Sequence, residues 1–244
     1  MRRLIVLLSF LALPALACSL NLQTFPSVEA QTTTPAQSSL PATDSPQNTQ
    51  DLEGPEINYN GIRFTLDPAL GSSLYAHNDE ITIEGKTAHS VRFSMTPEDY
   101  CQTWCLIVYP VGEFQQAFGD FVFPPTGYRG GAAVIFHAQE KLLHFQKGTG
   151  TRALETFGQN YYGVSNEALK YAFRGYSEGK QYAVYVQIPV HTASLPDTEP
   201  TLTADLPTYY QQTTQSVNAL GPSDFNPNLD MLDALVASIQ VGMP

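Results

Sequence analysis

The stretch 142–188, LLHFQKGTGTRALETFGQNYYGVSNEALKYAFRGYSEGKQYAVYVQI, decides how this chain folds. Four segments in it are rich in apolar, β-branched and aromatic residues: 142–145, 151–157, 169–173 and 182–188. Gly148-Thr149-Gly150 and Ser177-Glu178-Gly179 lie between them and read as turns. Short strands joined by glycine-bearing turns run antiparallel.

Working toward the N-terminus, Ile57-Asn58-Tyr59 and residues 62–66 flank Asn60-Gly61, a strong hairpin signal. Ile81-Thr82-Ile83 and residues 91–95 form a further pair around Gly85-Lys86. Leu106-Ile107-Val108-Tyr109 is apolar without alternation, which predicts a central strand covered on both faces. A short helix follows, with Phe114, Ala117 and Phe118 on one side, and then a Gly/Pro-rich loop from Pro124 to Gly131.

Working toward the C-terminus, Tyr210, Thr214 and Val217 recur at helical spacing before a stop at Gly221-Pro222. In a second helix Asn226 caps, Pro227 opens, and Leu229, Leu232, Val236 and Ile239 make one apolar stripe. The expected fold class is α+β: a mainly antiparallel sheet with helices packed on one face, two of them C-terminal.

The other end of the chain carries a different signal. Met1-Arg2-Arg3 is followed by an apolar run from Leu4 to Leu13 and then by Ala15-Leu16-Ala17-Cys18. A charged head, about ten apolar residues and small residues before a cut make an export signal. The cysteine after that cut resembles the lipobox of bacterial lipoproteins. The resemblance implies a lipid on Cys18, as the mature N-terminus anchored to the cell-envelope membrane. Ala15-x-Ala17 also suits release of a soluble protein with Cys18 free. The run is shorter than the ~20 residues of a membrane span. Residues 1–17 are thus expected to be a signal peptide. Residues 18–53, rich in Thr, Pro, Ser and Gln, are read as a lipidated N-terminus and disordered tether. Residues 54–244 form a single globular domain.

With Cys18 lipidated, Cys101 and Cys105 remain as an even pair in an oxidising compartment, and a disulfide between them is expected. An extended chain would put their Cα atoms about 13 Å apart. A disulfide needs less than about 7 Å, so residues 101–105 must turn. Thr96, Pro97, Glu98 and Asp99 predict a short helical turn leading into the staple. A redox pair is the competing reading, although the spacing is not C-x-x-C. Loss of Arg2 and Arg3 with the leader takes the net charge from -11 to -13. That balance disfavours nucleic acid as a partner.

No motif completes a catalytic set. Gly175-Tyr176-Ser177-Glu178-Gly179 matches G-x-S-x-G, but the residues after it read as a strand where a nucleophile elbow needs a helix. No histidine follows Asp197 or Asp205, so the order Ser, Asp, His cannot be completed with Ser177. Gly148-x-Gly150-x-x-Ala153, with Glu167 further on, loosely matches a dinucleotide fingerprint and reads better as a turn. Asp224-x-Asn226-x-Asn228-x-Asp230 resembles the start of a calcium loop, but Leu229 and Leu235 stand where glycine and glutamate belong. His77, His89, His137, His144 and His191 show no zinc spacing, and His137 with Glu140 is the closest approach to a pair. Neither a metal nor a cofactor is expected.

Aromatic residues offer a recognition surface instead. Trp104, Tyr128, the pair Tyr161-Tyr162 and the pair Tyr209-Tyr210 are candidates for binding a protein, peptide or glycan. Core packing accounts for tyrosines equally well.

The segments HFQKGTGTR (144–152), YAFRG (171–175), YVQIPV (185–190) and DFNP (224–227) together resemble a group of bacterial lipoproteins with the same signal, tether and globular domain. The group brings no activity with it. A sheet ending in an amphipathic helix is similar to the PsbP/Mog1-like α+β sandwiches, which implies a binding or assembly factor. The functional expectation is a membrane-tethered, non-catalytic binding or assembly module. The alternative is an envelope hydrolase using Ser177 or the histidines.

Overall fold

The computed structural model describes residues 49–119, 133–202 and 205–242. All lie in the second of two units into which the chain divides, Asp44–Pro244. Cys18, Tyr128 and the Gly/Pro-rich loop fall outside the described residues.

The strands are β1 (Thr49–Glu53), β2 (Glu56–Tyr59), β3 (Ile62–Thr65), β4 (Ser73–Ile83), β5 (Lys86–Ser94) and β6 (Cys105–Pro110), followed by helix α1 (Val111–Phe118). Next come β7 (Ala133–Phe145), β8 (Gly148–Gly158), β9 (Lys170–Ser177), β10 (Tyr182–Pro189) and β11 (His191–Thr192). Helix α2 (Leu206–Asn218), β12 (Phe225–Asn226), α3 (Leu229–Ser238) and β13 (Gln240–Val241) complete the described chain. The fold is α+β. An eight-stranded sheet has the order β1-β4-β5-β6-β10-β9-β8-β7, antiparallel throughout. Two meanders, β4–β6 and β7–β10, meet where β6 pairs with β10.

The four strands of the opening stretch form as expected. One of the expected turns moves. Gln146-Lys147 makes the β7–β8 turn, and Gly148 and Gly150 sit inside β8. Their role is close approach: a Cβ on Gly150 would stand 2.6 Å from the Phe173 ring. Phe173 meets Phe145 edge-on at 5.9 Å, so the glycines make room for this perpendicular ring pair. The hairpin at Asn60-Gly61 forms, both residues having positive φ (48° and 74°).

The uninterrupted apolar run in β6 has its reason in two cores. Leu106 and Val108 face the larger one, Ile107 and Tyr109 the smaller. The larger core is closed by α2, α3 and the small sheet β13-β3-β2, whose Phe64 meets Phe93 at 5.0 Å. The two C-terminal helices thus share one face. The short α1 covers the opposite face with Val111, Phe114 and Ala117.

Three local expectations are corrected. The tether boundary at residue 53 falls late, because β1 already pairs with the β4 edge from Thr49 onward. No helix starts at Pro97. Thr96–Asp99 is a hydrogen-bonded turn (Asp99 N–H to Thr96 O, 3.2 Å), after which the Asp99 carboxylate accepts from the N–H groups of Gln102 and Trp104 at 2.8 and 3.3 Å. A side chain that satisfies the backbone directly removes the need for a helix. The cap of α3 is Asn228, not Asn226, and accepts from Asp230 N–H at 2.8 Å. Asn226 is committed to β12, opposite His191.

Helix α2 starts at Asp205, whose carboxylate accepts from Thr208 N–H at 3.2 Å, and Pro207 occupies its first turn. The backbone N–H of Ala219 meets the carbonyls of Gln215 and Ser216 at its end, and the sheet adds to this. Gln139, in a β7 bulge, donates through Nε2 to Val217 O at 2.8 Å and Leu220 O at 2.9 Å. No helix among the described residues is long and apolar enough to cross a membrane.

Candidate functional site

Four tyrosines gather where the loop after β8 meets α2. Tyr162 folds back and donates its hydroxyl to Phe157 O. Tyr210 donates to Tyr162 O at 2.7 Å, and the Tyr209 hydroxyl accepts from Val164 N–H at 2.8 Å. The rings of Tyr209 and Tyr210 meet edge-on at 5.5 Å, and Tyr161 meets Tyr210 at 6.0 Å. Tyr161 itself is 68% exposed, the most open large apolar side chain described. The outermost ring thus stands on a fixed aromatic base.

Burial raises the phenol of Tyr162, with the Glu199 charge adding to it, and burial likewise raises Tyr210. Both hydroxyls stay neutral donors over the physiological range, which keeps the cluster's hydrogen bonds intact. The arrangement offers ring faces, ring edges and one hydroxyl, Tyr161's, that has no hydrogen-bond partner among the described residues. That is the chemistry of recognition.

The other residues singled out from sequence scatter. Trp104 is 4% exposed and belongs to the larger core, so it is no part of this surface. Strand alternation explains it: Cys105 points to the α1 side, which turns Trp104 and Leu106 to the other. Cys101 and Cys105 form a disulfide with Cα atoms 5.0 Å apart. Ser177 ends β9 in a hairpin and accepts from Tyr182 N–H at 2.9 Å. Among the described residues no histidine hydrogen-bonds to it.

The histidines occupy separate places. His137 lies between Glu140 (3.1 Å) and Glu155 (3.5 Å), and Glu155 is already paired two-point with Arg174 at 2.7 Å for each bond. His89 bridges Glu113 and Glu80 on the surface, and the Glu113 hydrogen bond raises its pKa. His77 is buried against Ser94 Oγ at 2.9 Å, and burial lowers its pKa, with the Arg92 charge adding to that. His144 is exposed on β7, and His191 opens onto a cleft beside β11 and β12. Among the described residues no three His, Cys, Asp or Glu side chains are placed to hold one metal ion.

Two features escaped the sequence reading. One is that cleft, assembled from residues near 166, 191–197 and 223–226. The other is a buried cluster in which Arg152, Lys141 and the Tyr171 hydroxyl converge on Asp233. Asp233 in the α3 stripe was the available signal, a carboxylate among helix positions that face a sheet.

No protein-family model matches this chain, and no curated protein or solved structure shows significant similarity to it. What the fold and surface define is a class: an antiparallel α+β domain with a supported aromatic patch and no assembled catalytic set among the described residues.

Proposed function

We propose that this protein is a lipid-tethered, non-catalytic binding module of the bacterial cell envelope that holds a protein or peptide partner on its tyrosine surface. The observation that carries the reading is Tyr161, 68% exposed yet backed by Tyr210 at 6.0 Å. A rigid ring with a polar tip loses little entropy when a partner covers it, and such rings dominate interface energetics. The location rests on the export signal and Cys18 in residues 1–18.

The hydrolase alternative finds less support. A nucleophile elbow works at a strand-to-helix turn, and Ser177 sits between two antiparallel strands with its Oγ engaged by Tyr182 N–H. Ser223 and His191 share the cleft beside β12, but no hydrogen bond links them among the described residues.

The test is photo-crosslinking in intact cells with a photoreactive amino acid at position 161, and at Leu142 as an equally open control (63% exposed). A discrete adduct from 161 that is missing from 142 is the expected result. Identical patterns from both positions, or none from either, would remove the tyrosine surface as the binding face.

A further inference from the structure

The cleft beside β11 and β12 is built from three chain segments and lies outside the tyrosine reading. It has a volume of about 300 Å³, at the lower end for small-molecule sites. Phe225, 4% exposed, and Ala193 supply its apolar part. Asp197, Asp224, Asn226, Ser223 and His191 are exposed around it.

Each carboxylate is held by one oxygen. Asp197 Oδ1 accepts from Asn166 Nδ2 at 3.2 Å, and Asp224 Oδ2 accepts from Gly221 N–H at 2.7 Å. The second oxygen of each has no hydrogen-bond partner among the described residues. Asn166 is the positioning residue. It is only 5% exposed; its Nδ2 lies 3.1 Å from both Thr192 O and Leu195 O, so its two N–H groups are shared among these and Asp197, and its Oδ1 accepts from Thr192 N–H at 2.9 Å. The segment carrying Asp197 is tied in by backbone bonds as well, Asn166 N–H to Pro196 O at 2.8 Å and Glu167 N–H to Asp197 O at 3.0 Å. Across the cleft, His191 and Asn226 stand opposite each other in the β11–β12 ladder. The acceptors are therefore set before a ligand arrives, which lowers the cost of binding.

We propose that this cleft binds a neutral sugar unit. No Lys or Arg lines it, and the whole chain carries a net charge of -11, so phosphates and carboxylates are repelled. A metal ion needs acceptors converging on one point, and no such trio exists among the described residues. These acceptors are instead spread around the opening. A ring bearing hydroxyl donors on several carbons presents its donors to acceptors spread in that way.

The experiment is an amide-shift NMR titration of the full chain in detergent micelles, reading His191 and Asn226. The probes are cellotriose, maltotriose and chitotriose as neutral sugars, with glucose 6-phosphate as the anion and spermidine as the amine. At least one neutral trisaccharide should shift both residues saturably in the millimolar range, ahead of the anion and the amine. Asp197→Asn and Asp224→Asn should each weaken that binding by about tenfold, the worth of one hydrogen bond to a charged acceptor. Both substitutions sit on exposed side chains and keep the shape, so the unbound spectrum reports directly that the fold survives. Tyr161→Ala should leave the titration unchanged, which separates this cleft from the tyrosine surface. The proposal is overturned if no neutral sugar shifts the two residues, if spermidine or the phosphate binds ahead of the sugars, or if both aspartate variants bind the sugar as the parent does.

Discussion

Arg152 on β8 and Asp233 on α3 form a two-point ion pair under the C-terminal helix, Nε to Oδ1 at 3.2 Å and Nη2 to Oδ2 at 3.2 Å. Their side chains are 4% and 10% exposed. Tyr171 donates to Oδ1 at 3.0 Å and Lys141 to Oδ2 at 2.8 Å, so four donors from three side chains meet at one carboxylate, while Arg152 Nη1 donates to Gln139 O. Removing that carboxylate strands a buried guanidinium. Asp233→Ala should destabilise the domain by about 3–5 kcal/mol, measured by urea denaturation. A loss below about 1 kcal/mol would mean the cluster is not dry in solution.

The tyrosine base can be separated from the tyrosine tip. Tyr210→Phe removes the bond to Tyr162 O and should cost about 1 kcal/mol of stability. Tyr161→Ala removes an exposed ring and should change stability by no more than about 0.5 kcal/mol. On the proposed function, Tyr161→Ala abolishes the partner adduct made by a photoreactive group placed elsewhere on the same surface. An unaltered adduct would argue against Tyr161 as the contact.

His77 predicts a pH effect with a definite sign. Burial lowers its pKa in the folded state, the Arg92 charge adds to this, and the Asp79 and Asp99 charges oppose it. An unfolded histidine titrates near about 6.5, so below that pH the unfolded chain binds the proton more readily. The stability held above about pH 6.5 is then lost as pH falls toward the folded value. His89 works the other way: its pKa is raised by Glu113, so its contribution is present below about pH 6.5 and fades as pH rises through the folded value. His77→Gln should flatten the fall of stability between neutral pH and about pH 5, read from thermal midpoints across that range. A parent and variant with parallel pH profiles would contradict this.

The Cys101–Cys105 staple closes a short loop. On the chain-entropy account, replacing both cysteines with serine should cost about 2 kcal/mol. Asp99 still organises residues 102–104 without the bridge, so the domain should remain folded. Chemical denaturation of the double variant, with and without reductant, tests both statements; reductant should affect only the parent.

The proposed anchor rests on Cys18. Cys18→Ser should move the protein from the membrane fraction to the soluble fraction. Intact-mass spectrometry of the parent should show a lipid on an N-terminal Cys18. A parent that is unlipidated, or a variant that stays in the membrane, would place the protein differently.

Local pattern carried much of the fold. The Asn60-Gly61 turn, the four strands of residues 142–188 and the doubly covered β6 were legible because period-two alternation, or its loss, records how many faces a strand buries. The α3 stripe was legible for the same reason at helical period. The misreadings share a cause as well. Gly148 and Gly150 looked like turn residues because nothing local reveals the Phe145 and Phe173 rings that need their space. Asn226 looked like a cap because its ladder partner, His191, is remote in the chain.

The chain by itself thus determined the longer strands and the three helices in their order, since these depend on neighbours a few residues away, whereas β1 and the two-residue strands β11, β12 and β13 exist only through their remote ladder partners. Tertiary structure alone decided which meander edges met, β6 against β10, and which polar side chains were brought together. Arg152 and Asp233 are 81 residues apart, and Tyr210 reaches Tyr162 across 48. Asp233 stands out in the α3 stripe, but nothing near it in sequence points to Arg152 as its partner, because local pattern records which face is buried and not what lies against it.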